Sequence, residues 1–437
     1  MINLYVPLEI KSRDFLGRLL LSLEACKKLK WNIYFGYKGD VNYFAKNFTP
    51  GVYHGLATYR NFENLYENIK KNGNIISISD EEGLLTFSEK YYSSFKISKK
   101  NLDLADFIFT WGEKNKKVLE KFAEKKKIIV SGNPRLDLLK SPFKSIYDNE
   151  IENIKKKYNN FFLICTSFSY TNYYDKNIRY SEILKTQNFF TSNDELEEWY
   201  KYEKIKKKIF DELIKFLENS HKIKNTIFVI RCHPSENIDI YESLQQKYNN
   251  VFFDNSYSVH PWILASEGII NHYCTTTFEG LVANKNIYTI KPDYETKLED
   301  EIFLKNTIIA KNHQELIELL EKKDITKKNY KEDYCSIDLK EDHKSFKTII
   351  NKFNSLDLRS KKTTKKDYFI LKYKIIKVLR DIKNIILFKN ESYINHKIKI
   401  IEQKEITNFI SKFERYREII KVKKISKNFF LLTNQEK

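Results

Sequence analysis

Glycine and proline are scarce, at 11 and 7 among 437 residues, which excludes collagen-like repeats and Pro/Gly-rich disorder. Cysteine is scarce as well. Cys26, Cys165, Cys232, Cys274 and Cys335 are scattered, odd in number and form no CxxC pair. That pattern argues against a disulfide framework or a zinc ribbon and suits a reducing cytoplasm. No apolar run approaches the roughly 18 residues of a membrane-spanning helix. Met1 to Tyr5 lacks the basic and apolar regions of a secretory signal. There is no GxxxxGK[ST], no GxGxxG after the first strand and no GxSxG, so P-loop NTPase, dinucleotide oxidoreductase and α/β-hydrolase chemistry are not expected.

What is present is a chain with 41% hydrophobic and 31% charged residues, long enough for two or three domains. The formal net charge is +19, and its distribution is uneven. Residues 355–437 hold 22 Lys/Arg against 9 Asp/Glu, a net of +13, while the first 354 residues hold 55 against 49, a net of +6. The nearly balanced body argues against a basic nucleic-acid-binding core.

Along residues 1–140 strand and helix patterns alternate. Strands are expected at Ile2 to Pro7, Trp31 to Gly36, Val52 to Leu56, Asn74 to Ser79, Phe107 to Trp111 and Lys127 to Val130. Helical spacing follows Ser12, spans Phe62 to Lys71 and resumes from Glu113. Residues 141–158 are polar and read as a linker. Alternation returns in 159–325, with strands at Phe161 to Cys165, Thr226 to Ile230, Val251 to Phe253, Gly268 to Tyr273, Ile287 to Ile290 and Thr307 to Ala310. The expected fold is α/β: two facing, doubly wound Rossmann-like domains (1–140 and 159–325) and a basic helical tail over 326–437.

In such sheets ligands bind beyond the carboxyl ends of the strands, and four polar clusters fall there. Asp80-Glu81-Glu82-Gly83 crowds three carboxylates, which raises one another's pKa and favours a general base; a solvated acidic turn fits the residues as well. Gly132-Asn133-Pro134-Arg135 makes a tight turn from which Arg135 can reach a ligand or pair with a surface acid. Arg231-Cys232-His233-Pro234 offers phosphate donors in Arg231 and His233, or an ordinary loop histidine. Thr275-Thr276-Thr277 precedes Glu279, and both an anion site and an N-cap with capping-box spacing fit; Glu279 can also accept from a ribose. Cys232, His233, His272 and Cys274 lack the usual metal-ligand spacing, so no metal is expected.

The tail adds a basic amphipathic pattern over 368–390. Leu371, Ile375, Val378, Leu379, Ile382 and Ile386 share one face, with Lys372, Lys374, Lys377, Arg380 and Lys383 interleaved. Such a helix suits an anionic membrane surface or a site on the body with its basic face in water.

Together these residues resemble the two-domain GT-B glycosyltransferases that use CMP-activated acidic sugars, the bacterial sialyltransferases and Kdo transferases. Glu81-Glu82-Gly83 matches their [DE]-[DE]-G motif, which implies Glu81 as catalytic base, with Asp80 making the register ambiguous. His233-Pro234 matches the His-Pro motif at the donor phosphate. Thr275-Thr276 or Thr276-Thr277 matches the paired hydroxyls that bind CMP. Asn3 to Glu9, Arg13-Asp14 and Gly132 to Asp137 look like the group named surface carbohydrate biosynthesis proteins. The resemblance covers about residues 1–325. It implies transfer of a Kdo or sialic-acid type sugar from a CMP-sugar co-substrate to a surface polysaccharide, such as capsule or lipopolysaccharide, or a lipid-linked glycan. It implies neither cofactor nor metal. The balanced charge of the body argues against a nucleic-acid partner, the scattered cysteines suit the cytoplasm, and the basic amphipathic tail, which the resemblance does not explain, suggests a peripheral place at the inner membrane. Three other readings stay open: a polyol-phosphate transferase using CDP-glycerol, a non-catalytic scaffold of capsule assembly, and RNA binding through the basic tail, which the tail's apolar face disfavours.

Overall fold

The computed structural model describes residues 1–83, 89–186, 190, 192–299, 301–322, 338, 340–358, 366–386 and 400–436, the side chains of 90, 91, 95, 301, 302 and 380–386 excepted. The chain divides into two compact units. Unit 1 comprises Met1–Gly83, Lys96–Leu138 and Lys340–Lys437, and unit 2 comprises Leu84–Phe95 and Leu139–Leu339.

Unit 1 is built on an eight-stranded sheet. Its first six strands are β1 (Asn3–Leu8), β2 (Asn32–Tyr37), β3 (Val52–Gly55), β4 (Ile75–Ser79), β5 (Phe107–Thr110) and β6 (Ile128–Val130). They run parallel in the order β2-β1-β3-β4-β5-β6. The order reverses between β1 and β3, so their carboxyl ends flank the crevice that a doubly wound sheet offers to ligands. The strands are buried on both faces, as parallel strands under helices must be. Helix α1 (Lys11–Leu29) covers one face with Phe15, Leu19, Leu20 and Leu23. Helix α2 (Lys38–Asn47) buries Val41, Phe44 and Ala45.

In unit 2 six strands run parallel: β7 (Phe161–Cys165), β8 (Ile227–Arg231), β9 (Val251–Phe253), β10 (Gly268–Asn271), β11 (Asn286–Ile290) and β12 (Ile308–Ala310). Their order is β12-β11-β10-β7-β8-β9, the doubly wound dinucleotide-fold arrangement with its reversal between β7 and β10. The segment expected as a linker is instead helix α3 (Asp148–Tyr158), which buries Ile154 and Tyr158 in unit 2. The long helix α4 (Asn193–Asn219) lays Trp199, Tyr202, Ile209, Phe210, Leu213 and Phe216 into the core. Two shorter helices, α5 (Val259–Ala265) and α6 (Thr276–Val282), flank β10.

The tail is more than helical. Helix α7 (Ser345–Asn354) returns to unit 1, where Phe353 meets Trp31, His54 and Phe109. Helix α8 (Lys366–Ile386) follows. Strands β13 (Ile420–Ser426) and β14 (Phe429–Asn434) form a hairpin, and β14 pairs antiparallel with β2. The close approach needs a glycine. Gly36 has φ +147°, and a Cβ there would stand 2.1 Å from the Asn428 carbonyl oxygen.

Candidate functional site

Each unit gathers polar side chains at the carboxyl ends of its central strands. In unit 1, β4 ends at Ser79 and the chain turns through Asp80, Glu81, Glu82 and Gly83. The three acids meet different surroundings. Glu81 is buried and bound by Arg18 of α1, whose Nε donates to its Oε1 at 2.7 Å. The same guanidinium donates to the carbonyls of His54 at 2.9 Å, Gly55 at 3.1 Å and Ser79 at 3.3 Å. Arg18 thereby ties the ends of β3 and β4 to the acidic turn.

Glu82 is held by Lys96 at 3.1 Å, by Arg13 and by the Tyr59 hydroxyl at 3.1 Å. The Lys96 and Arg13 charges hold its carboxyl well below the usual range. Asp80 differs from both. Its Oδ1 accepts the Glu82 N–H at 2.9 Å, whereas its buried Oδ2 has no hydrogen-bond partner among the described residues. Burial pushes its pKa up. Of the three acids, Asp80 alone keeps a buried carboxylate oxygen without a partner among the described residues, while Glu81 and Glu82 are held in ion pairs.

The Gly132 to Asp137 motif frames this turn. Asn133 Nδ2 donates to Glu81 Oε2 at 3.1 Å, and Asn133 Oδ1 accepts the Arg135 N–H at 2.8 Å. Arg135 lies over the Trp111 ring at 5.1 Å, and the Trp111 indole N–H donates to the Asp80 carbonyl at 2.7 Å. Asp137 accepts the N–H groups of Ser345 and Phe346 at 2.9 and 3.0 Å, capping α7. Arg135 is thus brought to the acidic turn, stacked and buried.

In unit 2, His233 follows β8 at the surface. Its Nδ1 lies 2.6 Å from Ser235 Oγ and 3.2 Å from Ser169 Oγ, and its backbone N–H donates to Thr166 Oγ1 at 3.3 Å. Ser169 and Thr166 belong to the turn after β7, beside the reversal in strand order. Below them Glu236 accepts from Thr166 at 2.9 Å and from the Phe168 N–H at 2.7 Å. The histidine is thus oriented by hydroxyls from two strand ends, with Pro234 beside it at the surface.

The remaining expected donors are committed locally. Arg231 donates to the carbonyls of Asp254, Ser256 and Tyr257 and stacks on Trp262 at 5.3 Å, so it fixes the loop after β9. Thr276 accepts from Asn271 Nδ2 at 2.9 Å, and Thr277 donates to Asn271 Oδ1 at 3.2 Å. Thr275 stands partly exposed at the head of α6. Glu279 is buried, with Oε1 3.7 Å from His260 Nε2, and His260 Nδ1 meets the Tyr147 hydroxyl at 2.9 Å.

One buried constellation escapes the sequence reading. Lys206 of α4 lies 3.1 Å from His272 Nδ1 and 3.4 Å from Ser167 Oγ. His272 Nε2 meets the Tyr294 hydroxyl at 2.9 Å, which donates on to Glu299. Burial pushes the pKa of Lys206 down, and burial together with the Lys206 charge does the same to His272. The available signal is Lys206 on the apolar stripe of α4, one turn from Tyr202. Among the described residues no group of three or more His, Cys, Asp or Glu could hold a metal ion.

No family model and no curated protein matches the chain. Solved structures match it. The Staphylococcus aureus MnaA structure with UDP has a TM-score of 0.52 at 12% identity, covering 83% of this chain and 100% of that one. UDP-GlcNAc 2-epimerase from Methanocaldococcus jannaschii has a TM-score of 0.52 at 13% identity, covering 81% and 99%. The fold is GT-B. The wall teichoic acid polymerase TagF also aligns, with a TM-score of 0.42 at 15% identity over 69% of this chain and 71% of that one. At these identities the likeness is one of architecture, and the GT-B assignment agrees with the fold expected from the strand and helix pattern.

Proposed function

We propose that the chain is a GT-B glycosyltransferase of cell-surface glycan synthesis that takes an acidic sugar from a CMP-sugar donor. The observation that carries the reading is His233, oriented by Ser169 and Ser235 on strand ends beside the β7/β10 reversal of unit 2. A histidine so held can donate to a departing phosphate, and preorganised donors aimed at developing charge are usually the largest single contribution to catalysis. Thr275 is the second hydroxyl offered to the nucleotide from the β10 end.

In unit 1 the proton-accepting role falls on Asp80 rather than on Glu81, which the family resemblance alone would choose. Glu81 is occupied by Arg18 and Asn133. A buried polar atom without a partner calls for one, and the acceptor hydroxyl is the partner proposed for Asp80 Oδ2. Proton transfer to a carboxylate with a raised pKa is general-base catalysis near neutrality. Glu82, Arg13 and Lys96 then keep the local charge fixed while Asp80 gains its proton.

The test is release of CMP from CMP-Kdo and from CMP-sialic acid in the presence of lipid-linked or polysaccharide acceptors, with CDP-glycerol and UDP-GlcNAc as competitors. Turnover of a CMP-sugar, reduced at least about 100-fold in Asp80→Asn and retained in better part in Glu81→Gln, supports the reading. Turnover of CDP-glycerol alone moves the chain to polyol-phosphate transfer. Full activity in Asp80→Asn removes that residue from the mechanism.

A further inference from the structure

Helix α8 presents two opposite faces. One is anchored to unit 1. Ile370 and Tyr373 are buried, Phe369 and Tyr373 pack edge-on against Phe44 of α2 at 5.1 and 4.9 Å, and Lys377 binds the buried carboxylate of Asp40 at 2.8 Å. The other face is apolar and open to water. Tyr368, Leu371, Ile375, Val378 and Leu379 are 55–66% exposed. Steps of three and four residues align these five along one stripe, and Lys372 and Lys374 stand exposed beside it. Of the expected pattern, the side chains of Arg380, Ile382, Lys383 and Ile386 and all of 387–390 lie outside the described residues. The helix thus packs on the body, as one of the two alternatives has it, but the face it leaves in water is an apolar stripe as well as a basic one.

We infer that this outer face of α8 docks the protein on an anionic lipid surface, with Tyr368, Leu371, Ile375, Val378 and Leu379 entering the headgroup boundary and Lys372 and Lys374 meeting lipid phosphates. Charge complementarity selects the occupant. Residues 355–437 carry a net charge of +13 against +6 for the rest of the chain, and an amphipathic helix of this composition binds by apolar insertion plus attraction to acidic lipids. Single exposed apolar residues are ordinary on protein surfaces, whereas a contiguous stripe with a basic border marks an interaction site. The anchored face makes the helix a rigid platform, so docking needs no local folding. Among the described residues no helix is long and apolar enough to cross a membrane, so attachment here is interfacial. The inference does not rest on the proposed reaction and is tested without it.

The experiment is cosedimentation of the full chain with vesicles of phosphatidylcholine alone and of phosphatidylcholine with 30% phosphatidylglycerol as probe, about a third being anionic. Two variants accompany the wild type, Ile375→Glu/Leu379→Glu and Lys372→Glu/Lys374→Glu, each checked for an unchanged melting temperature, which solvent-facing positions permit. Binding to the anionic vesicles, weakened by salt, is expected. The apolar variant should lose it, and the lysine variant should weaken it by about fivefold or more per charge removed. Equal binding by wild type and both variants overturns the inference, as does failure of the wild type to bind anionic vesicles. A concentration-dependent dimer abolished by Ile375→Glu/Leu379→Glu, without vesicle binding, overturns it in favour of self-association.

Discussion

Asn133 joins two motifs of unit 1 with one side chain: its Nδ2 donates to Glu81 Oε2 at 3.1 Å while its Oδ1 accepts the Arg135 N–H at 2.8 Å. The acidic turn and the turn after β6 are thus one structure, although 52 residues separate Glu81 from Asn133. Replacing Asn133 with alanine removes the cap of the single helical turn Pro134–Asp137 and a hydrogen bond to a buried carboxylate. The expected loss is about 1–3 kcal/mol of unfolding free energy, measured by urea titration.

Arg18 is the sterner case. It is 3% exposed and serves Glu81 together with the carbonyls of Pro7, His54, Gly55 and Ser79. Arg18→Ala leaves Glu81 as a buried charge without its cation, at a cost of about 3–5 kcal/mol. Arg18→Ala/Glu81→Gln should recover part of that loss, because the neutral amide needs no counter-charge. A double-mutant cycle on chemical denaturation reads the coupling.

Asp80 and Glu82 should respond to pH with opposite signs. The folded-state pKa of Asp80 lies above its unfolded value, so its ionisation costs stability that sets in as pH rises through the unfolded value. Asp80→Asn should therefore stabilise the fold at pH 7, and the gain should fade below the ordinary aspartate pKa. The folded pKa of Glu82 is depressed, so its contribution is present above the unfolded glutamate value and is lost as pH falls toward the folded one. Glu82→Gln should destabilise at pH 7, with the deficit fading in acid. Melting curves of the two variants across pH 3–7 (roughly the interval bracketing both unfolded values) decide the signs. A variant more stable than wild type yet inactive is the expected behaviour of a residue whose strain serves function.

The C-terminal hairpin is part of the unit 1 core. Phe429, Phe430, Leu431 and Leu432 are at most 2% exposed, and burying such side chains stabilises by about 1.5–3 kcal/mol each. A chain ending at residue 358 should therefore lack a cooperative unfolding transition for unit 1, because the loss rivals the whole stability of a typical domain. Gly36→Ala should weaken the same contact, since its Cβ meets the Asn428 carbonyl. Limited proteolysis of the truncated chain, with fragments mapped to the two units, checks this.

The alternation of strands and helices was legible because parallel strands are near-continuous apolar runs and turns carry polar residues. Local patterning placed β4 and β7 within a residue of their observed bounds. It missed α3, where eleven mostly polar residues bury only Ile154 and Tyr158. It also missed the hairpin, whose pairing partner β2 lies nearly 400 positions earlier, so no local signal announces it. The positions of Asp80, Glu81, Glu82, His233 and Thr275 at strand ends were readable. Their division of labour was not, because Arg18, Asn133 and Trp111 reach the acidic turn only through the fold. The contact between Lys206 and His272 was hidden for the same reason.

The central claim is that unit 2 binds a CMP-activated donor through His233 and its hydroxyl neighbours. The most direct test is a thermal-shift panel of CMP, CDP, UDP, GDP and ADP on wild type and His233→Ala. A ligand at ~100 times its dissociation constant adds about 2.7 kcal/mol of stability, well within reach of the method. The account predicts a raised melting temperature with CMP that His233→Ala abolishes. A shift with UDP or GDP and none with CMP, or a CMP shift unchanged by His233→Ala, would contradict it.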